Sequence, residues 1–311
     1  MITNQSNSWH ILGAGAIGSL WACQLSLAGN EIRLILRNSA ALKGFTGQIQ
    51  LSGQSVEGAV PLQAELAENH QPIQRLLVAT KSYDCLAAID SIRHRLSPSS
   101  VIVLLQNGMG QQQQAAELLP DIALFAGTTT EGAYRLPPNK LIHAGRGESW
   151  IGPINETARN LGATALDRLQ QLPLKTGYDE AIINRLWQKL AINAAINGLT
   201  AKYDCQNGRL ADHPDYCEQM QQLCNETEAI AKALEQPLFD RPLLEVALQI
   251  ARATGSNYSS MLQDVRNGGQ TEIDYINGFI CRQANQLGLD TPHHQALVAS
   301  ISRLHPQFSE H

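Results

Sequence analysis

Short apolar runs alternate with helix-like stretches through the first half of the chain. Strands are predicted at WHILG, EIRLILR, RLLVAT, VIVLLQ, LFAGTTT and ESWIG, and helices at AIGSLWACQLSLAG and YDCLAAIDSIRHRL. Continuous apolar strands separated by helices are typical of a parallel sheet that is covered on both faces. We therefore predict a doubly wound α/β sheet for this half.

The pattern changes near Glu180, after which the long stretches have the helical period. They are EAIINRLWQKLAINAAINGL, YCEQMQQLCNETEAIAKALEQ, RPLLEVALQIARAT and TEIDYINGFICRQANQLG. The sequence therefore predicts an α/β domain at residues 1–176 and an all-α domain at residues 177–311, with the junction near residues 172–180.

One predicted helix, RLWQKLAINAAINGLTA at residues 185–201, carries a polar stripe on an otherwise mostly apolar surface. Lys189, Asn193 and Asn197 follow one another at four-residue steps. Because each such step advances roughly 40° around a helix, the stripe spans about 80°. It is either the one solvated face of the helix or a face that binds a ligand. A solvated face usually carries several charges, whereas Lys189 is the only charge here after Arg185.

Composition narrows the class of protein. The 311 residues are 43% hydrophobic and 16% charged, which predicts a globular protein of two domains. A net charge of -5, with no cluster of Lys or Arg, argues against nucleic-acid binding. No apolar run reaches the ~20 residues that span a bilayer. The first residues lack the features of a secretory signal, so we expect a cytoplasmic protein that does not bind membranes.

Cysteine and histidine spacing gives no sign of a metal site. The six cysteines are scattered without a CxxC pair, and the nine histidines form no HExxH motif. We therefore expect reduced thiols and no metal. A monomer and a homodimer both fit the sequence.

The segment GAGAIG follows the first predicted strand and opens the first predicted helix. In that context GxGxxG spacing indicates dinucleotide binding, although a glycine-rich turn without a ligand is the simpler alternative. The first glycine allows a tight turn, the second lets a pyrophosphate approach the backbone, and the third lets the helix pack on the strand. The predicted cofactor-binding residues are Gly13, Ala14, Gly15, Ala16, Ile17 and Gly18.

The second predicted strand ends in Arg37 and Asn38, where NAD enzymes usually have a carboxylate. An arginine at this place suits a 2′-phosphate, so we predict NADP(H); otherwise Arg37 is an exposed strand-end charge. Lys81 and Asn107 each follow an apolar strand. Ligands of an open α/β sheet bind outside the carboxyl ends of its strands. Both residues are therefore expected to meet cofactor or substrate, unless they are ordinary loop residues.

Seven segments, spread over both halves of the chain, match one family. They are ILGAGAIGSLWA, VATKSYD, LQNGMG, GTTTEGAYR, LWQKLAINAAINGLTA, CQNG and SSMLQDVRNGGQTEIDYING. With them the sequence resembles the 2-dehydropantoate 2-reductase family, also called ketopantoate reductases. The resemblance implies a Rossmann-type domain, a helical domain and an active site in the cleft between them. It also implies reduction of the 2-oxo acid 2-dehydropantoate to pantoate with NADPH, in pantothenate and coenzyme A synthesis.

The resemblance assigns roles residue by residue. It makes Lys189 the proton donor. It implies substrate contacts at Asn107, Asn193, Asn197, Asn207 and Ser260, with Asn257 a weaker neighbour. It implies cofactor contacts at the glycine turn and at Arg37, Lys81, Asn107, Ala133 and Glu272.

Two positions depart from the family, and two implied roles have structural alternatives. Gly198 stands where many members have proline, and we expect the glycine to loosen that helix end. Glu131 stands where some members have His or Asn. Glu272 could simply favour the dipole of a helix that Thr271 caps. Ser260 could be a hydroxyl on a helix surface.

The implied reaction explains the polar stripe. Hydride addition to a ketone builds negative charge on oxygen, and a nearby ammonium can stabilise that charge and supply the proton. Two alternatives remain: the same chemistry on another 2-oxo acid, and a non-enzymatic NADP-binding sensor. The sequence disfavours the sensor, which has little need for a lysine beside two amides in the helical domain.

Overall fold

The computed structural model of the chain describes residues 8–166 and 174–304. Within these ranges the chain forms two compact units. The first contains residues up to 106 together with 111–182, and the second contains residues 107–110 and those from 183 onward.

The first unit has two sheets, whose twelve strands lie among the described residues. They are β1 (Ser8–Leu12), β2 (Glu31–Leu36), β3 (Gln48–Gly53), β4 (Gly58–Pro61), β5 (Gln63–Leu66), β6 (Arg75–Val78), β7 (Val101–Leu104), β8 (Ala123–Thr129), β9 (Gly132–Leu136), β10 (Lys140–Gly145), β11 (Glu148–Pro153) and β12 (Lys175–Tyr178). The larger sheet has the order β12-β11-β8-β7-β6-β1-β2-β5, and the smaller has the order β4-β3-β10-β9. In the larger sheet every neighbouring pair except β8–β11 is parallel.

Helices cover the larger sheet on both faces, which confirms the predicted Rossmann-type α/β fold. They are α1 (Ala16–Leu27), α2 (Ser39–Gly44), α3 (Cys85–Ser91), α4 (Gln111–Leu118) and α5 (Glu156–Leu161). Successive apolar residues of β1 join different buried clusters: Trp9 and Ile11 belong to one, and Leu12 belongs to the other. The alternation follows from the pleat of a strand, which points successive side chains to opposite faces.

The second unit is helical, as predicted. Its helices among the described residues are α6 (Ile182–Tyr203), α7 (Arg209–Asp212), α8 (Pro214–Ala233), α9 (Leu243–Ala253), α10 (Ser260–Arg266), α11 (Ile273–Leu287) and α12 (Pro292–Leu304). Within the described ranges, no helix has the length and apolar character needed to cross a membrane.

The boundary between the units differs from the predicted one. It follows Ile182 instead of residue 176, because β12 runs to Tyr178 and pairs with β11 in the larger sheet. Residues 172 and 173 of the predicted junction lie outside the described residues. The segment 107–110 is a second difference, since it belongs to the helical unit although its sequence neighbours belong to the first.

Candidate active site

The glycine turn between β1 and α1 is closely packed at two glycines and open at the third. Gly13 has a φ of 101°, and a Cβ there would lie 2.6 Å from the backbone nitrogen of Thr80. A Cβ at Gly18 would lie 2.0 Å from the carbonyl oxygen of Gly13. At Gly15 a Cβ would meet no atom within 4 Å. The turn therefore leaves its open side at Gly15, where a pyrophosphate can approach the N-terminus of α1.

Other predicted cofactor residues of the first unit follow the carboxyl ends of its strands. Arg37 comes directly after β2 and is exposed. The neighbouring Asn38 is occupied as the N-cap of α2, because its side chain accepts the Ala41 N–H at 2.9 Å. Lys81 comes shortly after β6 and begins the turn at Ser82–Asp84. Of these two residues at the end of β2, Arg37 is the one whose side chain does not cap α2.

Arg135 lies beside the glycine turn, and the sequence did not predict it as a site residue. It lies on β9, and its Nη1 donates to the Ala14 carbonyl at 2.5 Å. Its charge also reaches Cys23 in α1, where burial raises the pKa of the thiol to about 12 and Arg135 opposes that rise. A signal was available: Ala133 was predicted to contact the cofactor, and residues two apart on a strand share a face.

The polar stripe lies on α6 as the sequence predicted. Lys189, Asn193 and Asn197 are partly buried, whereas Leu190 and Ala194 between them are fully buried. Within the described part of the chain, neither the Asn193 nor the Asn197 amide hydrogen-bonds to another residue. The stripe is therefore not a fully solvated face, and its two amides are not satisfied by hydrogen bonds within the described part of the chain.

Lys189 is electrostatically coupled to Glu272. Burial lowers the pKa of the Lys189 ammonium from 10.5 to about 8, while the negative charge of Glu272 raises it. Glu272 itself is buried, with 4% of its surface exposed. An ammonium with a pKa this close to neutrality can both hold and release a proton under physiological conditions.

Thr271 does not cap the helix next to Glu272, which was the structural alternative for this carboxylate. Helix α11 begins at Ile273, so Glu272, and not Thr271, is its N-cap residue, and no side-chain cap bond is formed there. The Glu272 carboxylate instead accepts from the Asn107 amide at 3.4 Å. The alternative of a helix capped by Thr271 was therefore wrong, and the Glu272 carboxylate has tertiary partners.

The segment 107–110 packs against the start of α11. The Met109 N–H donates to the Tyr275 carbonyl at 2.8 Å. Gly108 has a φ of 72°, and a Cβ there would lie 2.4 Å from the Tyr275 oxygen, so the position requires glycine. This packing brings the Asn107 amide within hydrogen-bond distance of the Glu272 carboxylate. The same carboxylate raises the pKa of Lys189, so Glu272 interacts with both residues.

Asn207 and Ser260 lie in different environments. Asn207 is buried, and its Nδ2 donates to Thr254 Oγ1 at 2.9 Å. Its Oδ1 has no hydrogen-bond partner among the described residues and remains available as an acceptor. Ser259, and not Ser260, is the N-cap of α10, which leaves the Ser260 hydroxyl exposed at the first residue of that helix.

The fold and these residues define a class: an oxidoreductase with a dinucleotide-binding Rossmann-type unit and a lysine-bearing helical unit. Residues 9–156 match the family described as Ketopantoate reductase PanE/ApbA, and residues 181–305 match the C-terminal part of that family. The chain belongs to the ketopantoate reductase family, which confirms the resemblance and the expectation of an enzyme.

Individual relatives agree over almost the whole chain. A 2-dehydropantoate 2-reductase of Vibrio cholerae is 31% identical over 300 residues, covering 96% of this chain and 98% of the relative. One from Escherichia coli O157:H7 is 32% identical over 303 residues, covering 96% and 95%.

Solved structures show the same fold. A PanE/ApbA family ketopantoate reductase from Ralstonia eutropha JMP134 has a TM-score of 0.85 and 27% identity, covering 96% of this chain and 99% of that one. A D-mandelate dehydrogenase in ternary complex with NADH and anilino(oxo)acetate has a TM-score of 0.87 and 22% identity, covering 96% and 98%.

Proposed function

We propose that this chain reduces 2-dehydropantoate to pantoate with NADPH, and that Lys189 donates the proton. The observation that carries the proposal is the partly buried position of Lys189 beside Glu272, where burial lowers the pKa of the ammonium to about 8 and the carboxylate opposes that fall. It stands in a chain 31% identical to a 2-dehydropantoate 2-reductase. A cytoplasmic location and a role in pantothenate and coenzyme A synthesis are part of the same proposal.

The residues of the first unit fit a dinucleotide. In this proposal the pyrophosphate binds at the open position of Gly15, and Arg37, which is exposed at the end of β2, binds the 2′-phosphate. Arg135 adds a guanidinium beside the glycine turn. NADPH, when bound, supplies the hydride that reduces the carbonyl carbon of the substrate.

Lys189 carries the proton chemistry. Its ammonium donates a hydrogen bond to the carbonyl oxygen, stabilises the negative charge that develops there and transfers the proton that completes the hydroxyl group. The neutral amine then takes a proton from solvent before the next turnover. Because Glu272 raises the pKa of Lys189, it favours the ammonium that the reaction consumes.

The amides of the helical unit suit the remaining oxygens of a hydroxylated 2-oxo acid. Asn193 and Asn197 follow Lys189 by one and two turns of α6, and each offers both a donor and an acceptor. Asn207 offers its buried Oδ1 as an acceptor for a substrate hydroxyl. Lys81, Ala133 and Ser260 keep their predicted roles within this proposal.

A panel of 2-oxo acids assayed with NADPH and with NADH tests the proposal. We expect 2-dehydropantoate with NADPH to give the highest kcat/KM and expression of the chain to rescue a pantoate auxotroph. A higher kcat/KM for another 2-oxo acid would favour the alternative substrate with the same chemistry. Absence of nucleotide oxidation with every member of the panel would refute the proposal.

A further inference from the structure

A buried polar chain ties the stripe-bearing helix to three other helices of the second unit. Asn277 on α11 is fully buried, and its Nδ2 donates to the Ala194 carbonyl of α6 at 2.9 Å. The same Nδ2 lies 3.0 Å from His294 Nδ1 on α12. On the far side of the ring, His294 Nε2 lies 3.0 Å from Thr227 Oγ1 and 3.1 Å from the Leu223 carbonyl, both on α8.

These partners fix the direction of every hydrogen bond in the chain. The Asn277 amide nitrogen has two hydrogens, and one goes to the Ala194 carbonyl. The other goes to His294 Nδ1, which must therefore accept. His294 Nε2 then carries the ring proton and donates toward α8, where the Leu223 carbonyl can only accept. The ring is thus neutral, with one tautomer selected by its surroundings.

A second contact holds the same face of α6. A Cβ at Gly198 would lie 2.6 Å from Leu297 Cδ2, so the bare backbone there lets α12 pack closely. Ala194 and Gly198 are one turn apart and share a face. Ala194 directly follows Asn193, and Gly198 directly follows Asn197. Because one residue advances about 100° around a helix, the face with Ala194 and Gly198 lies about 100° from the face with the two asparagines.

We propose that Asn277 and His294 are positioning residues, which set the rotation and depth of α6 and hence the placement of Lys189, Asn193 and Asn197. The inference rests on the proposed function of that stripe. Asn277 holds the carbonyl next to Asn193, and His294 holds Asn277. His294 and Leu297 lie on one face of α12, so the helix that fixes the amide also packs against Gly198.

The test compares Asn277→Leu and His294→Leu with His294→Gln. Both leucine variants remove a link of the chain, whereas the amide oxygen of glutamine can still accept from Asn277. We expect the leucine variants to lower kcat/KM for the 2-oxo acid by about 10- to 100-fold, since misplacement of a reacting group by 1 Å can cost that much. The NADPH dissociation constant should stay unchanged, and His294→Gln should restore most of the activity.

Ile301→Ala on the same helix is the control for general destabilisation, because Ile301 is buried but outside the polar chain. Amide hydrogen exchange in α6 gives a readout that needs no substrate. Faster exchange at Gly198 in Asn277→Leu than in Ile301→Ala would support the inference even if the proposed reaction fails. Unchanged exchange and unchanged kcat/KM in folded Asn277→Leu, or equal losses in the control, would overturn it.

Discussion

The buried Glu272 carboxylate interacts electrostatically with the Lys189 ammonium in the helical unit. Burial of Lys189 lowers the pKa of its ammonium to about 8, and the Glu272 carboxylate limits that fall. The lysine lies on α6 and the carboxylate lies at the N-cap of α11. The pairing keeps a partly buried ammonium charged near neutral pH, which is the state that a proton donor must occupy before each reaction.

Lys189→Ala should lower kcat sharply while the protein stays folded and binds NADPH normally. Removal of a positioned acid costs roughly 10²- to 10⁴-fold in rate, and alanine is well tolerated in a helix. Steady-state kinetics, nucleotide titration and circular dichroism check the three parts. Lys202→Ala near the end of the same helix is the matched control and should retain wild-type kcat. A Lys189→Ala enzyme with undiminished kcat would exclude the proton-donor role.

Glu272→Gln should move the basic limb of the pH profile to lower pH. If the ammonium form of Lys189 is required, wild-type kcat is full below its pKa of about 8 and falls as pH rises through that value. Glutamine removes the charge that raises the pKa, so the fall should begin earlier. Profiles of kcat at saturating NADPH separate this effect from weaker cofactor binding. A limb at the wild-type pH in the variant would show that Glu272 does not tune Lys189.

The fold was predictable where apolar strands and helical periods were continuous. All six predicted strands lie in the larger sheet, where most of their apolar residues are buried. The smaller sheet was missed because β3 and β9 read QIQLSG and GAYRL. Their outward residues are polar or exposed, and only Ile49 and Leu51 of β3 enter the core.

The candidate site was predictable where its residues lie close in sequence. The glycine turn and the stripe on α6 follow from local spacing alone. The contact of Asn107 with Glu272 joins residues 165 positions apart, so no local pattern encodes it. The alternative of a helix capped by Thr271 was wrong because the helix begins one residue later than it required, at Ile273, and local sequence does not fix a helix end to a single residue.

Arg37→Ala should weaken NADPH binding and leave NADH binding nearly unchanged. Arg37 is exposed at the end of β2, and the neighbouring Asn38 is occupied in capping α2. Loss of a charged contact to the 2′-phosphate should weaken binding roughly 10- to 150-fold. Fluorescence titration with both nucleotides measures the effect, with the exposed Arg93→Ala as control. Equal weakening of the two cofactors would remove the case for NADP preference.

Arg135→Gln should weaken NADPH and NADH to the same degree. Arg135 contacts the Ala14 carbonyl in the glycine turn, where the pyrophosphate common to both nucleotides is expected to bind. Titration with ADP-ribose, which has the pyrophosphate but no 2′-phosphate, should show the same loss. A loss confined to NADPH would instead assign Arg135 to the 2′-phosphate, and unaltered binding of all three ligands would exclude a role in binding.

His294→Gln should make the stability of the protein less sensitive to acid. Burial lowers the pKa of His294 from 6.5 to about 4, although its bond to the Leu223 carbonyl raises it. The unfolded chain therefore takes up the proton first, and the free energy of unfolding should fall as pH drops from 6.5 toward 4. The pKa difference corresponds to at most about 3 kcal/mol.

Urea denaturation of the wild type and of His294→Gln, at neutral pH and near pH 4, measures this change in the free energy of unfolding. His10, whose pKa is also lowered to about 4, is present in both chains, so its contribution cancels in the comparison. Glutamine does not titrate, so the variant should lose less stability than the wild type on acidification. An identical loss in the two chains would mean that His294 takes up no extra proton on unfolding, and the neutral ring inferred from its hydrogen bonds would then be wrong.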